Sequence, residues 1–330
     1  MRLAYIVKLA VISTAILVVG CLSGEEGSTA TEDSGNELTV LATTPMLGEF
    51  VKQVAGENVQ VEVLIPHAAD PHHFEPSPQD VKIINEADLV FYVGLKYETA
   101  ALSKLIQNSV ESGQVLVEIG PKIDPIEFKI DEHDEHDEHD EHDEGHDHHE
   151  HDGVDPHFFT DPSRMAVVAD AIVNFLIAEI EGVDSEALRS NADAYIGLLK
   201  ALDIEVSETL AGLSDSERVL VTNHQVFGYF ADRYDLKVVG TVIPSGSTVN
   251  GADARTLAAL AETIRVEGVP AIFSDTSSSD ELVQMLADEV GEIEVVELFS
   301  ESLGDKDSSG ATYLEMVRTN AQRIAAGLGD

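Results

Sequence analysis

The amino-acid sequence predicts an α/β protein of two lobes, each with a parallel four-stranded sheet, joined by one long helix. Three observations lead there. Short apolar, β-branched runs alternate with helix-period segments throughout residues 38–330. The runs are nearly continuous in apolar character, as strands buried on both faces of a parallel sheet must be. Between two groups of four such runs lies a proline-free stretch, Ser185 to Leu213, whose apolar residues recur at helical spacing.

From the start of the chain, Met1 to Cys21 carries Arg2 and Lys8 and then an apolar segment from Leu9 to Val19. That segment is too short for a membrane span and fits an export signal. Val18-Val19-Gly20-Cys21 resembles a bacterial-type lipoprotein cleavage box, which implies cleavage before Cys21 and lipidation of its sulfur. An export signal with an incidental cysteine is the alternative. Cys21 is the only cysteine, so disulfides and thiolate metal sites are excluded. Residues 22–37, rich in Gly, Ser, Thr and acids, form a tether spanning roughly 20–25 Å. The working part of the chain is therefore expected outside the cytoplasm, held to the cell membrane through the lipid alone.

The first lobe, 38–184, has expected strands at Leu38–Thr43, Val59–Ile65, Asp88–Val93 and Val115–Ile119, with helices at Gln79–Glu86 and Arg164–Glu181. The linking helix, 185–213, has its stripe at Leu188, Ala192, Tyr195, Leu199, Leu202, Val206 and Leu210. Such a helix is roughly 40 Å long, the size of a domain, and suits a strut between two lobes; a long helix within one domain is the alternative. The second lobe, 214–330, has expected strands at Arg218–Thr222, Leu236–Thr241, Pro270–Ser274 and Ile293–Leu298. Its helices are expected at Asp253–Glu267, Ser279–Val290 and Ala311–Leu328.

One segment stands apart. Asp131 to Asp152 contains only Asp, Glu and His apart from Gly145, with histidines at His133, His136, His139, His142, His146, His148, His149 and His151. With no apolar side chain to bury, it cannot repay the entropy of folding and is expected to be a loop. Imidazole is the commonest metal ligand, and histidines interleaved among acids read as metal capture. The formal charge of −43, from 62 acidic and 19 basic residues, extends well beyond this loop, whose 13 acids account for under a third of it. Such a surface excludes nucleic acid and anionic lipid as partners, favours cations, and is equally the mark of a salt-loving source.

The remaining histidines are His67, His72, His73, His157 and His224. Ligands of open α/β sheets bind beyond the carboxyl ends of strands. Asp70-Pro71-His72 follows the second expected strand, Asp155-Pro156-His157 follows the fourth, and Thr222-Asn223-His224 ends the fifth. Proline stiffens each Asp-Pro-His triplet by setting its own φ and extending the Asp before it. Three histidines at such strand ends are candidate metal ligands, whereas His67 and His73 read as loop residues.

The segments DPHHFEPSPQDVKIINEADLVFYVG (70–94), DPHFFTDPSRM (155–165), VTNHQVFGYFADRYDL (221–236) and ELFSESLGDKDSSGATYLEMVRTN (297–320) resemble the metal-binding solute-binding proteins of zinc and manganese ABC importers, including the high-affinity zinc-uptake type. The resemblance spans essentially the whole body. It implies two lobes clasping one ion, with one ligand from each segment: His72, His157, His224 and Glu301. The fourth position is usually Asp in that family, so Glu301 is a departure, and Asp275 or a water is the alternative fourth donor. The acidic His-rich loop resembles the zinc-uptake branch, and His224 stands where manganese-type relatives usually have a carboxylate. The implied partners are an ABC permease and its ATPase subunit, and the receptor is expected to be a monomer.

Three imidazoles and a carboxylate suit tetrahedral Zn²⁺, and Mn²⁺ is the alternative cargo. Proton competition is expected to weaken binding below about pH 6, the range of an ordinary histidine. The chain has no GxxxxGK[ST] run for ATP and no HExxH for a zinc hydrolase. A non-enzymatic receptor is the leading reading; a zinc hydrolase and a surface metal buffer or adhesin are its rivals.

Overall fold

The computed structural model describes residues 38–109, 115–128, 153–249, 251–291 and 293–329. The export segment 1–21 with Cys21, the tether 22–37, and the histidines from His133 to His151 lie outside the described residues.

The chain runs in order through β1 (Thr39–Ala42), α1 (Pro45–Ala55), β2 (Gln60–Val63), α2 (Pro78–Glu86), β3 (Leu89–Tyr92), α3 (Ala100–Ser109), β4 (Val115–Glu118), α4 (Pro162–Glu179) and α5 (Ser185–Leu210). It continues through β5 (Val219–Thr222), α6 (Gly228–Tyr234), β6 (Lys237–Thr241), α7 (Ala254–Glu267), β7 (Ala271–Asp275), α8 (Glu281–Val290), β8 (Glu294–Leu298) and α9 (Tyr313–Leu328). All eight expected strands form within two residues of their expected bounds. Every pairing among these eight strands is parallel.

The two sheets share one topology, β2-β1-β3-β4 and β6-β5-β7-β8. In each, the chain first winds one way from its first strand and then returns to wind the other way. That reversal opens a crevice at the strands' carboxyl ends, where this class of sheet binds ligands.

Three helices lie beyond those expected from the sequence: α1, α3 and α6. Helix α1 has good start signals, since Thr44 accepts the Leu47 N–H at 3.2 Å and Pro45 occupies the first turn. Its Gly48 lets the helix touch β2, because a Cβ there would meet Val63 Cγ2 at 2.4 Å. Glycine lowers helix propensity, so this packing requirement costs the helix some local preference.

Helix α5, 26 residues and about 39 Å long, buries the seven stripe residues Leu188, Ala192, Tyr195, Leu199, Leu202, Val206 and Leu210. It stops at Leu210 instead of Leu213, one residue before the Ala211-Gly212 turn. It packs against α1 and α4 from the first half and α9 from the second. One core therefore runs from Val40, Phe50 and Phe91 through α5 to Phe273, Leu298 and Tyr313. Each sheet also has an apolar cluster of its own, around Ile84 and Val90 in one and Ile264 and Ile272 in the other.

Glu49 of α1 reinforces the junction. It accepts the Tyr195 hydroxyl of α5 at 3.0 Å and the Tyr313 N–H of α9 at 2.8 Å, and burial raises its pKa. The Phe50 ring meets both tyrosines edge-on at centroid distances of 4.9 and 5.0 Å. The halves are thus fused along a spine, and the described body groups as one compact unit.

Candidate metal centre

The three candidate histidines reach one point from three different turns. In the Asp70-Pro71-His72 triplet, Asp70 Oδ1 accepts the His72 N–H at 2.9 Å and closes a 3₁₀ turn over residues 71–73. In Asp155-Pro156-His157, Asp155 Oδ1 accepts the His157 N–H at 2.9 Å and also faces His157 Nδ1 at 2.8 Å. The Asp-Pro-His pattern is thus a device: proline stiffens the turn and aspartate folds it back onto the histidine. His224 lies two residues beyond β5, at the point where strand order reverses between β5 and β7. Glu301 lies three residues beyond β8.

His72, His157, His224 and Glu301 each offer one atom to a group whose members all lie within 4.8 Å of one another. Glu301 Oε1 is 2.5 Å from His224 Nε2, 3.2 Å from His157 Nε2 and 3.4 Å from His72 Nε2. Ring centroids of the histidine pairs are 5.6 to 6.0 Å apart. All four residues are buried, with relative exposures of 6, 0, 0 and 1%. A tetrahedron with bonds of about 2.0–2.1 Å has edges of about 3.3 Å. Two of the three carboxylate–imidazole distances match that edge, and the third is a hydrogen-bond contact.

Buried polar atoms are nearly always partnered. Here His72 Nε2 and His157 Nε2 are buried with no hydrogen-bond partner. Two orphaned nitrogens aimed at one carboxylate oxygen are the donor set of a cation site.

The electrostatics agree. Burial lowers the pKa of His157, but the Glu301 charge and the Asp155 carboxylate outweigh it and lift the pKa to about 10. Burial raises Glu301, but His157 and His72 hold it well below the usual carboxylate range. The raised His157 and lowered Glu301 together favour a proton on the histidine side facing the carboxylate when no cation is bound. On that electrostatic ground, proton competition with metal is expected to begin above the pH 6 range of an ordinary histidine.

The other candidates fall elsewhere. His67 and His73 are exposed, as expected of loop residues; His67 Nδ1 faces the Gly304 carbonyl at 3.2 Å. Asp275, the alternative fourth donor, lies outside the group. Its Oδ1 accepts the Ser277 N–H at 2.9 Å, both its oxygens lie 3.0 Å from the Ser277 hydroxyl, and burial pushes its pKa up to about 6. A cavity of about 440 Å³, lined by Asp70, His73, Asn223, Thr248, Ser277 and Glu281 among others, adjoins these turns. Across it Thr248 donates to Asp70 Oδ2 at 2.6 Å, joining the His72 turn to the second half.

The sequence gives no signal for Tyr97, whose phenol donates to Glu301 Oε2 at 2.9 Å. Burial and the Glu301 charge raise its pKa well above the ordinary value, so it stays a donor. Nor does it reveal that the stem of the His-rich segment bears on a candidate ligand. Phe128 N–H donates to Gly153 O at 2.7 Å and Asp155 N–H to Ile126 O at 2.8 Å, so this antiparallel stem ends at the aspartate that orients His157. Tyr229 of α6 donates to Asp155 O at 2.7 Å. Gly228 permits this approach, since a Cβ there would meet Asp155 Oδ2 at 2.4 Å.

The sequence model described as "ZnuA: Zinc-uptake complex component A periplasmic" matches residues 40–327. The chain belongs to this family. Proteins that this ZnuA-family chain is similar to carry manganese or zinc in their names. It is 26% identical over 314 residues to the metal ABC transporter substrate-binding lipoprotein ScbA of Streptococcus cristatus, covering 94% of this chain and 95% of that one. It is 26% identical to the manganese ABC transporter substrate-binding lipoprotein PsaA of Streptococcus anginosus, covering 96% of each. Among solved structures, the periplasmic zinc-binding protein TroA of Treponema pallidum superposes with a TM-score of 0.77 at 28% identity, over 89% of this chain and all of the other. The ZnuA-family fold, two parallel four-stranded sheets with a long helix between them, is thus the fold expected from the sequence.

Proposed function

We propose that this ZnuA-family protein is the extracytoplasmic receptor of a metal ABC transporter. It captures Zn²⁺ with His72, His157, His224 and Glu301 and passes the ion to a membrane permease driven by an ATPase subunit. The observation that carries this reading is the convergence of three buried imidazoles on one oxygen of a buried carboxylate, with one candidate ligand from each of four loops beyond parallel strands. Lipidation at Cys21 holds the receptor at the membrane, and the protein acts as a monomer. The His-rich segment, His133 to His151, serves as a weak collector or sensor beside one tight site.

Nitrogen donors dominate the set, which favours zinc over manganese. Manganese is the second reading, because relatives such as PsaA and the manganese-binding lipoprotein MntA of Halalkalibacterium halodurans are named for it. A hydrolase needs three protein ligands, an open water position and a general base. Four protein donors on one point instead favour holding an ion and releasing it intact.

The test is calorimetric competition between Zn²⁺ and Mn²⁺ on the mature protein, repeated with residues 131–152 removed. One tight zinc-preferring site that survives the deletion, with loss only of weakly bound ions, supports the receptor reading and the division of labour. A manganese preference keeps the receptor and changes its cargo. No tight site in either protein refutes the four-ligand assignment.

A further inference from the structure

The four donors differ in their freedom. An imidazole gives a metal one nitrogen, whereas a carboxylate gives one oxygen or two. That choice changes the coordination number and with it the ion preferred. In this site the second oxygen of Glu301 is taken: Oε1 faces the three imidazoles, while Tyr97 donates to Oε2 at 2.9 Å and lies 3.2 Å from the Glu301 carbonyl.

The phenol has little room to leave. Tyr97 is 1% exposed, and its ring stands edge-on to His72, His157 and Phe159 at centroid distances of 5.5, 5.9 and 5.7 Å. The turn that delivers it is strained. Gly94, Leu95 and Lys96 all have left-handed backbones, with φ of 75, 53 and 65°. Only glycine adopts that conformation freely, so two side-chain residues in succession persist only where their surroundings over-determine them.

Two carboxylates do so. Glu98 accepts Val93 N–H at 2.7 Å, Gly94 N–H at 2.9 Å and the Thr43 hydroxyl at 2.8 Å. Glu118 accepts Leu95 N–H at 3.2 Å. A strained turn held at both ends places one hydroxyl on one oxygen.

We propose that Tyr97 is a positioning residue that locks Glu301 into one-oxygen coordination and so sets the preference of the site for four-coordinate over higher-coordinate divalent ions. The inference rests on the receptor reading and deepens it. Four single donors satisfy tetrahedral Zn²⁺. Mn²⁺ seeks more donors, preferably oxygens. The nearest additional oxygen on a ligand is Glu301 Oε2, which the Tyr97 hydroxyl holds by a hydrogen bond that a move onto the metal would strain or break.

Tyr97→Phe keeps the ring and removes only the hydroxyl. Dissociation constants for Zn²⁺ and Mn²⁺ are measured on the wild-type and variant proteins, and each is loaded with Co²⁺ to record its visible spectrum. The expected result is that the Mn²⁺-to-Zn²⁺ ratio of dissociation constants falls about tenfold or more, the scale on which groups behind metal ligands act. The Co²⁺ bands should weaken in the variant as a further donor joins. An unchanged ratio, whether both affinities fall together or neither falls, makes Tyr97 mere structural support and overturns the inference. Wild-type protein is itself a test that needs no variant: it must show the intense bands of four-coordinate Co²⁺, and weak six-coordinate bands overturn the proposal. Wild-type protein that binds neither Zn²⁺ nor Mn²⁺ removes the receptor reading itself, an outcome distinct from an unchanged ratio.

Discussion

Replacing Glu301 with glutamine preserves shape and removes one buried charge. Glu301 is 1% exposed, and its Oε1 faces all three imidazoles within 3.4 Å. Removing one partner of a buried charge pair costs about 3–5 kcal/mol. That is a loss of about two to three and a half decades in Zn²⁺ affinity. Competition against a chromophoric chelator near neutral pH reads it directly. A second signature follows from the same charge: Glu301 is the largest of the influences that raise His157. In Glu301→Gln the His157 pKa falls back, and the pH dependence of binding flattens around neutrality. A loss of less than tenfold would refute the assignment and return the fourth position to Asp275 or water.

Wild-type binding should release about one proton per ion near neutral pH, and apparent affinity should fall about tenfold per pH unit below about 10, checked by calorimetry in buffers of different ionisation enthalpy. The sign for the metal-free fold is mixed. The raised His157 stabilises it fully below its ordinary 6.5 and loses that contribution as pH rises through about 10, whereas the lowered Glu301 contributes above its ordinary 4.5 and loses it in acid. Thermal stability of the metal-free protein should therefore peak on this account between those two ordinary values. Asp155→Ala removes the partner of His157 Nδ1 and should weaken Zn²⁺ binding about 10–100-fold, while His73→Ala on the exposed side leaves it within about twofold. Leu199→Ala opens a cavity in the spine, where Leu199 is fully buried, and should cost about 2–5 kcal/mol by denaturant unfolding.

How much was legible follows from how local each signal is. Strands buried on both faces must be apolar at every position, so runs such as Val219–Thr222 announce themselves without knowledge of their neighbours. The stripe of α5 is legible because one helix must face partners along its whole length. Helix α6 is not, because seven residues beginning with Gly228 span too few turns to show a period. The histidines could be ranked because Asp-Pro-His is a local device in which the triplet supplies both the stiff turn and its hydrogen bond. Tyr97 could not be found, because its partner Glu301 lies 204 residues away and nothing near Tyr97 indicates a metal site.

By itself, then, the sequence determined the α/β class, the two groups of four strands, the spine between them and the three histidines at strand ends. All of these depend on burial or turn chemistry within a few neighbouring residues. Only the tertiary structure decided which carboxylate faces the histidines and that Asp275 is held by Ser277 instead. It also decided that the halves share one core through Glu49, Tyr195 and Tyr313. These depend on distances between side chains far apart in the chain, and on burial that makes each such distance count.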